Sequence, residues 1–278
     1  MSIWLLRLAI VVYLVATVCQ MAYLTTLKES VRKWADKLSW GAFGLHTVVL
    51  LVRLFEGGYA PMTTLHESYS FFGWSILGLY LVIQLRYHIP SLGAFATPLA
   101  MVMLLGAAVT PAAISELPPA LRSGWLPVHV GFLFIGDAAF ALAAVAGFMY
   151  LIQERQLKQK RLGSLFHRLP NIGVLDEINY RCLTIGFPLL TVGIITGAAW
   201  AQEAWGTYWS WDPKETWSLI TWFLYAALLH GRMTIGWRGK KAAVWSIIGF
   251  ASVIFTFLGV NYILPIFIPS LKSLHIYG

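Results

Sequence analysis

Charge is scarce in this chain. Only 12% of its 278 residues are Asp, Glu, Lys or Arg, against 58% hydrophobic residues. Soluble domains carry about 25% charged residues, so the composition excludes a water-soluble globular enzyme. Cysteine is also scarce, with two residues, Cys19 and Cys182, lying in or beside apolar runs. Neither CxxC nor CxxCH occurs, which excludes a disulfide framework and covalent haem attachment to the chain's own thiols. A glycine-rich GxxxxGK[ST] loop is missing too, so nothing points to nucleotide hydrolysis. The hydrophobic segment before Cys19 has Val18 where lipoprotein processing needs a small residue, and it reads as a retained span.

What the sequence has in abundance is long apolar runs. Stretches of roughly 17–25 residues mark transmembrane helices, and they predict an all-α integral membrane protein with about eight spans. These fall near 3–25, 39–55, 69–87, 93–111, 128–152, 182–202, 214–232 and 242–265. No internal repeat or flexible linker separates them, so 1–278 reads as a single polytopic membrane domain. The formal net charge of +8 resides in short loops, which fits a positive-inside signal and the lipid bilayer, with no nucleic-acid partner. Lys28, Arg32, Lys33, Lys37, Arg86, Arg155, Lys158, Lys160, Arg161, Arg168, Arg181, Arg232, Arg238, Lys240 and Lys241 fall on one side. Arg7, Arg53, Arg122, Lys214 and Lys272 fall on the other. That imbalance puts the basic loops in the cytoplasm and both termini outside.

The loop at about 203–217 is then external, and it reads Trp205-Gly206-Thr207-Tyr208-Trp209-Ser210-Trp211-Asp212-Pro213-Lys214-Glu215. Interfacial belts explain single Trp and Tyr residues, but four rings within seven residues suit a large planar ligand better. Gly206 permits close backbone approach. Asp212 followed by Pro213 and Glu215 has the pattern of an N-cap with a capping box, which makes the aromatic loop rigid.

Histidines complete the pattern. His129 opens the fifth span on the external side and His275 lies in the external tail. His46 and His230 fall inside spans, and the predicted boundaries put both in the cytoplasmic half. Imidazole is a favoured haem-iron ligand and two imidazoles saturate the metal; intramembrane titratable groups are expensive and usually functional. Each histidine taken singly has an equally good reading as hydrogen-bonded packing. His88 and His167 read as solvated loop residues, and His66 as a structural residue close to the external face.

The stretch WGxxWxWDPKE, followed by a tryptophan-bearing helix that ends Leu-His-Gly-Arg, resembles the WWD signature of haem-handling proteins in cytochrome c biogenesis. Its Asp-Pro-Lys-Glu form is more similar to the CcsA/ResC family of system II than to CcmC and CcmF of system I. Pro61 with Glu67-Ser68, the eight-span layout and the closing Leu274-His275-Ile276-Tyr277 are also similar to that family, with Ile276 in place of its usual Ser. The resemblance implies haem b held by His46 and His230 within the membrane and by His129 and His275 outside, at the haem iron. Trp205, Gly206, Tyr208, Trp209 and Trp211 would form the binding wall, and Asp212 would belong to the catalytic set with Trp205, Trp209, Trp211, His129 and His275. It implies a subunit of a holocytochrome c synthase, forming haem thioethers on the CxxCH motifs of apocytochrome c together with a CcsB/ResB-type membrane protein and thiol-reducing proteins. The membrane would be the bacterial cytoplasmic (inner) or the thylakoid membrane. Arg53, Arg122 and Lys214 lie on the correct side to meet haem propionates. Two other classes remain compatible with the residues: a respiratory dihaem electron-transfer subunit, and a haem-free transporter or assembly protein.

Overall fold

A computed structural model describes residues 1–114, 116–160, 163–267 and 273. Among the described residues there is no strand, and the elements are helical throughout. They are α1 (Ser2–Thr26), α2 (Glu29–Gly57), α3 (Leu65–Tyr87), α4 (Gly93–Val109), α5 (Trp125–Lys158), the short α6 (Ser164–Arg168), α7 (Ile172–Trp205), α8 (Pro213–His230) and α9 (Lys240–Ile254). Two π-helical turns interrupt this pattern. Gly231–Ile235 continues α8, and Phe255–Gly259 carries the ninth helix on to Tyr262.

Seven helices are long and apolar enough to cross a membrane. The eighth predicted span corresponds to α8, an 18-residue helix whose Lys214, Glu215, Trp217, Trp222 and His230 dilute its apolar character. With the π turn added, the rod extends about 30–35 Å, the thickness of a hydrocarbon core. Polar ends make several helices longer than their apolar runs. Thus α2 begins at Glu29 rather than near 39, and α7 begins at Ile172 rather than near 182.

The chain forms two compact units: Met1–Glu116 with Gln153–Asn171, and Leu117–Ile152 with Ile172–Gly278. In the first, α1 packs on α2, α2 on α3, α3 on α4 and α4 back on α1, closing a four-helix bundle. Its polar anchor is a buried ion pair, Arg53 Nε to Glu67 Oε1 at 2.9 Å. Glu67 Oε2 accepts from the backbone N–H groups of Thr63 and Thr64, while the Thr64 hydroxyl accepts from the Glu67 N–H. This capping box starts α3. In the second unit α8 packs on α7 and α9, and Phe140 of α5 lies face to face with Tyr225 of α8, centroids 3.5 Å apart. At the far end of α8, Arg232 makes paired bonds of 3.0 and 2.9 Å to the two carboxylate oxygens of Asp176. The Gly239 N–H also donates to Asp176, at 2.8 Å.

Candidate functional site

The aromatic loop is built by the junction of α7 and α8. Trp205 is the last residue of α7, not a loop residue as predicted, because backbone bonding continues until Gly206 N–H reaches the Gln202 carbonyl. Gly206 then takes φ +77°, the left-handed conformation that ends helices at little cost. At the other end Asp212 accepts from Lys214 N–H at 2.8 Å, and Glu215 Oε2 accepts from the N–H groups of Asp212 and Ser210. The capping box expected from the sequence is therefore present. Trp211, just before the cap, adopts φ +59°. A bulky residue in that conformation is strained, and its indole is 69% exposed. Tyr208 is exposed as well, whereas Trp205 and Trp209 are half-buried. Trp209 and Trp211 meet edge to face, centroids 5.8 Å apart at 88°.

His129 stands on α5 in the same unit. Its Nδ1 lies 2.7 Å from the carbonyl oxygen of Gly193 on α7. A carbonyl only accepts, so Nδ1 carries the proton and Nε2 is the basic nitrogen. The ring stacks on Trp200 (5.8 Å, 25°), and Trp200 in turn meets Trp205 edge on at 4.8 Å. Trp200 is nearly buried and donates its indole N–H to the Ala120 carbonyl at 2.8 Å. A Cβ at Gly197 would collide with the His129 ring, so glycine there permits the imidazole to lie against α7. His275 lies outside the described residues. Ser273 is described, and its hydroxyl donates to Asp212 Oδ1 at 2.8 Å.

The other two histidines differ sharply. His46 is fully buried, at 0% exposure. Its Nδ1 is 2.9 Å from the Tyr13 hydroxyl and its Nε2 is 2.9 Å from the Ser70 hydroxyl. Because α2 starts so early, His46 lies about 17 Å from the Gly57 end and about 26 Å from the Glu29 end. The expectation of a place in the cytoplasmic half rested on a shorter helix and is corrected: His46 lies nearer the end that carries Arg53 and the α3 cap. His230 ends α8, about 26 Å from Pro213, and its side chain is exposed. His66 is buried and donates Nδ1–H to the Ala107 carbonyl at 2.7 Å, a structural role. His88 is exposed at the C-cap of α3. Arg53 is committed to Glu67 and to the carbonyls of Ala112 and Ala113, which removes it from the propionate candidates.

A family described as cytochrome c assembly protein matches residues 62–268. Proteins named cytochrome c biogenesis protein CcsA align along most of the chain. That of Guillardia theta is 36% identical over 251 residues, covering 84% of this chain and 81% of the relative. That of Pyropia yezoensis is 36% identical over 271 residues (84% and 83%), and that of Synechococcus sp. (strain JA-3-3Ab) 36% over 285 residues (83% and 81%). The chain belongs to the CcsA family of cytochrome c assembly proteins. A solved structure, cytochrome c heme lyase CcmF, superposes with a TM-score of 0.66 at 17% identity. That alignment covers 93% of this chain but 47% of the lyase, so the likeness is one of fold.

As a CcsA-family member the chain is an integral membrane protein of cytochrome c biogenesis. The matched region begins at residue 62, so α1 and α2, with Tyr13 and His46, precede it. Trp200 is the site residue that sequence reasoning missed. Its signal was the step from Trp200 to Trp205 at the end of one helix, which hydropathy merges with an ordinary interfacial belt. Tyr13 and Ser70 were missed because partners of a histidine on other helices leave no mark in local spacing.

Proposed function

We propose that this protein takes haem b as cargo, carries it to the external face and presents it for covalent attachment to the CxxCH motifs of apocytochrome c. It acts as the CcsA-type subunit of a holocytochrome c synthase, one functional domain working with a CcsB/ResB-type membrane protein, with both termini and the aromatic loop outside. The observation that carries this reading is the bond from His129 Nδ1–H to the Gly193 carbonyl. A second partner on the non-ligating nitrogen fixes tautomer and ring orientation and raises the basicity of the ligating one. His129 therefore offers Nε2 to iron beside the Trp200–Trp205 pair.

His275 supplies the opposite axial ligand. Two residues of chain separate it from Ser273, a reach of about 7 Å, and Ser273 is tied to Asp212 at the head of α8. Trp205, Tyr208, Trp209 and Trp211 wall the macrocycle, Gly206 admits it closely, and Arg122, exposed at the start of this unit, is available to a propionate. Asp212 keeps loop and tail together. Haem is held earlier by His46 and His230, each a neutral imidazole suited to iron. Attachment adds each cysteine S–H across a haem vinyl group: sulfur bonds one carbon and the proton goes to its neighbour, so no oxidant is consumed. Thiol-reducing proteins keep both cysteines as thiols, and the protein contributes proximity and orientation. The histidine of the incoming CxxCH replaces one of the protein's own axial ligands.

Reduced-minus-oxidised spectra of the purified chain, with and without its co-expressed partner, test the reading. Substituting His129 and His275 together removes one haem population, and substituting His46 or His230 lowers total haem. Unchanged haem content and cytochrome maturation in all these variants would overturn it.

A further inference from the structure

The two hydroxyls on His46 are not equivalent. Tyr13 is 1% exposed, and its ring meets the imidazole edge on at 5.5 Å and 76°. It is locked by packing and reaches Nδ1 without freedom to leave. Ser70 is a small side chain on α3, with Arg53, Pro61, His66 and Glu67 beside it around a cavity of about 250 Å³. That volume lies below the roughly 300–1,000 Å³ of small-molecule sites, so the cavity gives a hydroxyl room to turn but does not admit a macrocycle. Helical Ser and Thr have an alternative acceptor in the carbonyl one turn back. The neighbouring Ser75 uses it, bonding to the Phe71 carbonyl at 2.8 Å, as do Ser39, Thr47 and Thr97. Ser70 instead points its hydroxyl at His46 Nε2. The equivalent carbonyl for Ser70 is that of His66.

We propose that Ser70 is a displaceable cap on the iron-binding nitrogen of His46, and that Tyr13 is the fixed partner that holds this imidazole in its ligating tautomer. The proposal rests on the reading of His46 as an intramembrane haem ligand. Without haem, Ser70 O–H donates to Nε2 while Nδ1–H donates to the Tyr13 oxygen, so the buried imidazole is satisfied at both ends. On capture, the bond between Ser70 and Nε2 breaks, the Ser70 hydroxyl turns to its own helix or into the cavity, and the Nε2 lone pair bonds iron. No proton changes owner. Release reverses the exchange. The cap spares an empty site the cost of an unpaired buried nitrogen and sets haem affinity low enough for onward transfer.

The test is titration of haem into the full chain in lipid nanodiscs, in a background carrying His129→Ala and His275→Ala. Affinity and association rate are followed at the Soret band. Ser70→Ala removes the cap while favouring the helix, and it should tighten binding about five- to tenfold and speed association. Tyr13→Phe keeps the ring but removes the partner of Nδ1, and it should weaken binding about tenfold or more and shift the ferric spectrum. Opposite signs are the signature. Weakened or unchanged binding in Ser70→Ala overturns the cap, and unchanged binding and spectrum in Tyr13→Phe overturns the partner role. In the same background, binding unaffected by His46→Ala would instead bring down the parent reading of His46 as a ligand.

Discussion

His129 and Gly193 are joined by a 2.7 Å hydrogen bond that runs from an imidazole on α5 to a backbone carbonyl on α7. It makes the orientation of the ring a property of helix packing. A change that alters the α5–α7 contact therefore disturbs the site without touching its chemistry.

Gly197→Ala is the sharpest such change. Its methyl would occupy the space of the His129 ring, while alanine favours the helix by about 0.5–1 kcal/mol. The chain should remain folded and inserted, with c-type cytochrome formation reduced at least about tenfold through the misplaced ligand. Near-normal maturation, measured by haem staining of membranes, would show that the ring tolerates displacement.

Asp212 separates scaffolding from chemistry. It accepts from Lys214 N–H and from the Ser273 hydroxyl, two roles that asparagine can keep and alanine cannot. Asp212→Ala should lower stability by about 0.5–2 kcal/mol and impair maturation, whereas Asp212→Asn should retain most of both. Loss of maturation in the Asn variant at unchanged thermal stability would assign the carboxylate a direct chemical task.

The helices were legible because apolar runs long enough to span a bilayer are hard to hide. Their ends were not, since the polar extensions at Glu29 and Ile172 carry no hydropathy signal. The cap at Asp212–Glu215 could be read because capping is a local geometry with a local spacing. The Tyr13–His46–Ser70 chain could not, because it joins three helices whose register depends on packing. Arg53 misled for the same reason: its side is evident from sequence, but its capture by Glu67 is tertiary.

Arg53→Ala tests that capture. Removing one member of a buried ion pair leaves the other unpaired, at a cost of about 3–5 kcal/mol. Unfolding in detergent should show a loss of that order, with haem bound per folded molecule unchanged. A selective fall in haem content would return Arg53 to the propionate candidates.

The proposed orientation is checked by thiol labelling in a background lacking Cys19 and Cys182. Lys33→Cys and Lys160→Cys should react from the cytoplasmic side and Tyr208→Cys from the outside; any reversal refutes both termini being external.

Deleting the gene for this protein should abolish all c-type cytochromes. Loss of a single respiratory activity, with other c-type cytochromes intact, would favour an electron-transfer subunit instead.

The π turn at Gly231–Ile235 carries one residue more than an α-helical turn would. Excising one residue there would restore ordinary winding and swing everything beyond it by roughly 100°, pulling Arg232 off Asp176. His230 thus sits immediately before a built-in dislocation. Indels tolerable in a surface loop would at this point break the phase between the histidine and its anchor.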